Sequence, residues 1–156
     1  MLLSGGSAAA MAGNARKAGQ RIVFTNGVFD LLHPGHVRFL QAAAREGDLL
    51  IVGINSDASA NSIKGVTRPV VTESERAEVL LALDCVDAVI IFNENKPNLI
   101  IREIVPDVLV KGADWPADQI VGRDTVESAG GRVVRVSVET GYSTTALIER
   151  IKRVAK

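Results

Sequence analysis

From Arg21 onward, short apolar runs alternate with stretches in which apolar residues recur at helical spacing. The runs at 22–25, 49–54, 88–92, 108–110 and 133–136 have the pattern of parallel strands buried on both faces. Val37, Leu40 and Ala44 mark a first helix, with Pro34 near its start, where a missing N–H costs nothing. Thr72-Glu73-Ser74-Glu75 forms a capping-box pattern that opens a second helix, expected to bury Ala77, Leu80, Leu81 and Leu83. A third covers 99–105 and ends at Pro106, and a weaker fourth follows Gly122. A last helix over 143–154 is expected to bury Leu147, Ile148 and Ile151. Five strands alternating with five helices predict an α/β fold, a Rossmann-like doubly wound five-stranded parallel sheet covered on both faces.

Residues 1–13 are small and apolar, but no Lys or Arg precedes Arg16, and Ser4, Gly5 and Gly6 interrupt them. They read as a tail and not as a signal peptide. The expected organisation is a flexible tail over 1–20 followed by one domain over 21–156. Ligands of open parallel sheets bind beyond the carboxyl ends of the strands. The segments at 27–34, 56–71, 111–119 and 139–145, polar and without helical periodicity, are therefore where function is expected.

A chain of 156 residues fits one domain, and 47% hydrophobic with 23% charged residues excludes a disordered chain. Aromatics are 4%, so Ala, Val, Ile and Leu must build the core. Lys plus Arg is 18 and Asp plus Glu is 18, so no overall field attracts nucleic acid, and anion affinity must come from local donors. The single cysteine, Cys85, excludes an internal disulfide and any multi-cysteine zinc motif. It fits a reducing, cytoplasmic setting. No apolar run approaches the ~20 residues needed to cross a bilayer.

Neither G-x-G-x-x-G nor a P-loop is present, so a nucleotide must be held in another way. Both histidines lie in the segment Gly27-Val28-Phe29-Asp30-Leu31-Leu32-His33-Pro34-Gly35-His36, which joins the first strand to the first helix. This places His33 just before the helix and His36 in its first turn, where free N–H groups and the helix dipole attract anions. Two imidazoles there can stabilise charge on a phosphoryl group during in-line displacement. Asp30, His33 and His36 also have ligand-type side chains, so a metal site is the competing reading.

The segment 27–36 resembles the G-x-F-D-x-x-H-x-G-H signature of the cytidylyltransferase-like nucleotidyltransferases. Ser62-Ile63-Lys64-Gly65-Val66-Thr67-Arg68-Pro69-Val70, Glu75-Arg76, Val110-Lys111-Gly112-Ala113-Asp114-Trp115 and Tyr142-Ser143-Thr144-Thr145 are similar to the heptose 1-phosphate adenylyltransferase branch. The resemblance runs from Arg21 to the C-terminus and implies that 21–156 is a nucleotidyltransferase domain. It implies transfer of AMP from ATP to D-glycero-β-D-manno-heptose 1-phosphate, releasing pyrophosphate, with Mg²⁺ arriving on ATP and no resident metal. The product, ADP-heptose, would serve lipopolysaccharide core synthesis. Many relatives carry this module fused to a kinase, and this chain looks like the stand-alone form. No nucleic-acid or membrane partner is expected, and a homodimer is left open.

By the same resemblance, His33 and His36 contact the nucleotide phosphates and stabilise the transition state. Val28, Phe29, Asp30 and Gly35 belong to the nucleotide loop. Lys64 and Arg68 are basic groups for the α-phosphate and the incoming sugar phosphate, with Lys64 counted as catalytic. Lys111, Gly112, Asp114 and Trp115 meet the base and ribose, and Ser143, Thr144 and Thr145 meet the β- and γ-phosphates. Trp115 reads equally well as a packing anchor. One departure stands out. Cytidylyltransferases of glycerol and choline phosphate have R-T-E-G-I-S-T before the last helix, and the arginine is here Val138. That leaves the compensating charge to Lys64, Arg68, Arg76 or Arg123. Lys96 stands where the heptose branch often has threonine. The rival readings are a polyol-phosphate cytidylyltransferase and a nucleotide-binding protein without turnover.

Overall fold

The computed structural model describes residues 1–137 and 141–155. Strands β1 (Leu2–Leu3), β2 (Ile22–Gly27), β3 (Leu49–Asn55), β4 (Ala88–Phe92), β5 (Val108–Gly112) and β6 (Arg132–Val136) form one parallel sheet. Their order across it is β1-β4-β3-β2-β5-β6. Helices α1 (Gly5–Lys17), α2 (Pro34–Ala44), α3 (Asp57–Lys64), α4 (Glu73–Leu81), α5 (Asn98–Ile104), α6 (Arg123–Ser128) and α7 (Thr144–Val154) lie between and beyond the strands, with one 3-10 turn at Ala117–Gln119.

Alternate strand residues feed two cores. Ile22, Phe24, Ile51, Ile90 and Leu109 pack with Ala8 and Ala12 of α1 and Ile101 and Ile104 of α5. Val23, Leu50, Val52, Val89 and Val110 pack on the other side with Leu40 and Ala43 of α2 and Ala77 and Leu80 of α4. This period-2 division explains why the central strands are apolar throughout.

The chain steps outward from β2 through β3 to β4, then returns past β2 to β5 and β6. The direction of winding thus reverses between β2 and β5, where a doubly wound sheet leaves a crevice at its carboxyl edge. β2 pairs with β3 as far as Gly27 and Ile54, but with β5 only at Val23–Val108 and Phe24–Leu109. Beyond Leu109 side chains bridge the gap: Thr25 Oγ1 donates to the Val110 carbonyl at 2.9 Å, and Lys111 Nζ donates to Asn26 Oδ1.

Several expectations are corrected. The sheet has six strands and not five, because Leu2 and Leu3 pair with Val89 and Ile90. The expected tail is otherwise helix α1, which buries Ala8, Ala12 and Ala15 at helical spacing. Its small residues let it lie close to α5, so a stripe too weakly hydrophobic to stand out in sequence still makes a core. Helix α3 occupies part of the segment read as non-periodic, opened by Ser56, whose side chain accepts from Ser59 N at 3.3 Å. Helix α7 forms as expected but buries no residue, and Ile151 is 53% exposed. The reason is position: it follows β6, the last strand of the sheet, whose own Val133, Val134 and Val136 are only half-buried. Val37, Ala44, Leu81 and Leu83 are likewise half-buried.

Candidate active site

At the crevice lies a cleft of about 390 Å³, walled by the β2–α2 loop, the end of α3, the end of β5 and the start of α7. Val28, Phe29, Asp30, His33, Gly35, His36, Lys64, Arg68, Gly112, Asp114, Ser143, Thr144 and Thr145 all line it. Two of the residues grouped with them from sequence do not. Lys111 lies behind Asn26, which does line the cleft, and Trp115 is outside the lining and 52% exposed, so it anchors no core. Val138, Glu139 and Thr140 lie outside the described residues.

The loop after β2 is shaped by strain and close contact. Phe29 adopts φ 48°, a left-handed conformation that is costly for an aromatic residue, while its side chain is buried. A Cβ on Gly27 would lie 3.0 Å from the Phe29 ring, so a larger residue there would press on it. Then His33 caps α2: its Nδ1 accepts from His36 N at 3.3 Å, and Pro34 fills the first helical position. The two imidazoles stack with centroids 3.8 Å apart and planes 17° off parallel. Gly35 permits this, because a Cβ there would meet the His33 ring at 3.0 Å and Tyr142 Cβ at 2.9 Å.

Burial lowers the pKa of both histidines, and His36, which also feels the charge of His33, falls to about 4. The pair is therefore neutral near pH 7, able to donate N–H groups without bringing two cations together. A sign follows for stability. Between the unfolded value of 6.5 and the folded value of about 4, the unfolded chain takes up a proton that folded His36 refuses, so stability falls as pH drops through that window. Urea denaturation across this range should show the fall, and His36→Gln should flatten it. An unchanged slope would mean that His36 is not desolvated.

Asp30 is buried and fully engaged. Its carboxylate accepts from Arg68 Nε at 2.5 Å, from Val70 N at 2.8 Å and from Val71 N at 2.9 Å. It thereby fastens the loop after α3 against the histidine loop and holds Arg68 at the cleft. Its oxygens are spent on these donors, and no three His, Cys, Asp or Glu side chains converge on a cation position among the described residues. The Asp30, His33, His36 metal reading therefore lacks its geometry.

Arg76, whose role the sequence leaves open, is 1% exposed. It donates to the carbonyls of Val71 at 3.0 Å, Val28 at 2.6 Å and Asn55 at 2.8 Å, and to Asp57 Oδ1 at 2.8 Å. One guanidinium thus ties the histidine loop to the end of β3 and the start of α3. Arg76→Met strands these acceptors and should cost on the order of 3 kcal/mol. Guanidinium denaturation measures it, and a loss below ~1 kcal/mol would contradict this role.

The remaining charges sort cleanly. Lys64 and Arg68 line the cleft, whereas Arg123 binds Glu127 at 3.0 Å and the Ala117 carbonyl at 3.1 Å, facing a separate crevice with Lys96 and Arg102. At α7, the Ser143 side chain accepts from Ala146 N at 3.0 Å, and Thr144 and Thr145 follow on the cleft wall. Tyr142 lies over His33 with centroids 6.2 Å apart, and Arg38 stands 5.5 Å from the Tyr142 ring. The sequence offers Arg76 either as a compensating charge or as a structural partner of an acidic neighbour, and its pairing with Asp57 fits the second. Asn26 is not singled out there, its closeness to the histidine loop being the one signal available. No helix among the described residues is long and apolar enough to cross a membrane.

Comparison with known proteins agrees with this arrangement. The chain is 55% identical over 134 residues to the bifunctional protein HldE of Geotalea uraniireducens, covering 86% of this chain and 27% of that protein. It is 56% identical over 130 residues to its counterpart in Gluconobacter oxydans, covering 83% of this chain and again 27% of the relative. The chain thus spans about a quarter of the length of these relatives. Among solved structures, the lipopolysaccharide core biosynthesis protein of Thermoplasma volcanium superposes with a TM-score of 0.67 at 28% identity, covering 78% of this chain and 99% of that one. Pantoate-beta-alanine ligase of Francisella tularensis, solved with beta-gamma ATP and beta-alanine, has a TM-score of 0.66 at 15% identity, covers 100% of this chain and 78% of that one, and shares the fold. The family model for Cytidylyltransferase-like proteins matches residues 24–150, which include the histidine loop and the start of α7, and the chain belongs to that family.

Proposed function

We propose that the chain transfers AMP from ATP to D-glycero-β-D-manno-heptose 1-phosphate, giving ADP-heptose and pyrophosphate for lipopolysaccharide core synthesis. The observation that carries this reading is the identity of 50–56% to bifunctional HldE proteins over 130–140 residues, most of this chain. The neighbour from Thermoplasma volcanium, described as a lipopolysaccharide core biosynthesis protein, points the same way.

In the proposed reaction, an oxygen of the sugar phosphate attacks the α-phosphorus of ATP. The bond from that phosphorus to the bridging oxygen breaks, and pyrophosphate leaves with the electron pair. No proton need move, because the attacking phosphate oxygen is already anionic. His33 and His36 donate to the transferring group and to the departing oxygen. Lys64 and Arg68 hold the acceptor phosphate. Thr144, Thr145 and the free N–H groups of α7 receive the β- and γ-phosphates. Mg²⁺ enters as part of the MgATP substrate, bound mainly by phosphate oxygens. A cytoplasmic setting fits a reaction between ATP and a sugar phosphate.

The test is a pyrophosphate-release screen over nucleotide and acceptor pairs. ATP with the β-anomeric heptose 1-phosphate should be the best pair, and CTP with glycerol 3-phosphate should be poor. A CTP pair that won would defeat the heptose assignment, and ATP binding without pyrophosphate release would favour a binding protein. Lys64→Ala should depress the rate even at saturating ATP, whereas Thr144→Ala should mainly raise the ATP requirement, since a tail contact is made equally in ground and transition states.

A further inference from the structure

Asn26 is the last residue but one of β2, beside the point where strand order reverses, and it lines the same cleft as His33 and His36. Behind it, Lys111 donates Nζ to Asn26 Oδ1, a bond between residues 85 apart in sequence that spans the opening between β2 and β5. A lysine ammonium has three donors and no acceptor, so this contact settles which way the amide of Asn26 faces. Oδ1 is turned to Lys111, and Nδ2, with two N–H donors, is left for the cleft. Among the described residues no acceptor meets Nδ2. Burial lowers the Lys111 ammonium to about 8, and no carboxylate of the described residues pairs with it.

We infer that Asn26 Nδ2 donates to the phosphoryl group that is transferred, and that Lys111 orients and polarises this donor from behind. The inference rests on the nucleotide-binding reading above and adds a donor at the end of β2 to the imidazoles of the α2 side. A cation bonded to Oδ1 draws electron density through the amide, so the N–H groups of Nδ2 become stronger donors than those of a free asparagine. The donor also costs no reorganisation at the moment of reaction, because Lys111 fixes it before any ligand arrives. Asn26 is on this account a catalytic residue, and Lys111 is a positioning residue that acts through it.

AMP carries the group to be transferred without the polyphosphate tail, so calorimetric titration with AMP and with adenosine isolates this contact. Asn26→Asp keeps the shape of the side chain and gives Lys111 a carboxylate partner, so its Tm should equal or exceed that of the parent chain. Its affinity for AMP should nevertheless fall about tenfold or more, with adenosine unaffected, because a donor to an anion has become an acceptor. Lys111→Met should weaken AMP in the same direction, and Lys111→Arg should restore part of the loss. In turnover assays both Asn26→Asp and Lys111→Met should lower kcat more than they raise the acceptor KM. Parent-like AMP binding by Asn26→Asp would overturn the inference, as would equal losses for AMP and adenosine. Parent-like AMP binding by Lys111→Met would overturn the role of Lys111. A chain that shows the expected AMP pattern yet releases no pyrophosphate with any sugar phosphate would defeat the proposed reaction and leave the Asn26 assignment standing.

Discussion

His33→Ala and His36→Ala should each lower turnover by a factor on the order of 10² or more, the usual cost of losing one donor aimed at charge that develops in the transition state. The stacked pair is neutral at rest, so in the proposed reaction each ring would stabilise charge as it forms on the phosphoryl and departing oxygens, with little attraction for the protein's own charges beforehand. Folding should suffer far less. His36→Ala removes a desolvated ring whose Nδ1 has no partner among the described residues, and His33→Ala removes a cap worth about 1 kcal/mol. Steady-state rates beside thermal melts separate the two effects. Near-normal turnover in either variant would take that histidine out of the mechanism.

Asp30→Ala should be the most damaging single change at the cleft. It leaves Arg68 without its buried partner and frees the backbone donors of Val70 and Val71, so the cost in stability should be about 3 to 5 kcal/mol. Turnover should fall by a further factor beyond the loss of folded protein, because Arg68 no longer stands at the cleft. Rates normalised to the folded fraction check this. A variant that kept its full normalised rate would show that the Asp30–Arg68 pair does not position the acceptor phosphate.

What could be read in the sequence follows from how local each signal is. The central strands were legible because burial on both faces demands unbroken apolar runs. The histidine loop was legible because Gly, Asp, Pro and both histidines fall within ten residues. Helix α1 was not, since Ala8, Ala12 and Ala15 make a core only through the closeness of α5. The periodicity of α7 was visible but its exposure was not, because burial depends on what lies beneath a helix. Arg76 and Asn26 take their meaning from partners up to 48 and 85 positions away, which no local spacing reveals. Trp115 was grouped with the base and ribose by resemblance and read equally as a packing anchor, and it is half-exposed outside the cleft lining, so it anchors no core.

The central claim is that the α-phosphoryl group of ATP, with its adenosine, moves to a sugar phosphate within the cleft of His33 and His36. Following ATP labelled separately at the α- and γ-phosphorus, with the β-anomeric heptose 1-phosphate as acceptor, tests it most directly. The account predicts that the α label appears in a nucleotide sugar, that the γ label appears in pyrophosphate, and that His36→Ala suppresses both together. A γ label found on the acceptor sugar, or an α label that stays in ATP while the nucleotide is bound, would contradict it.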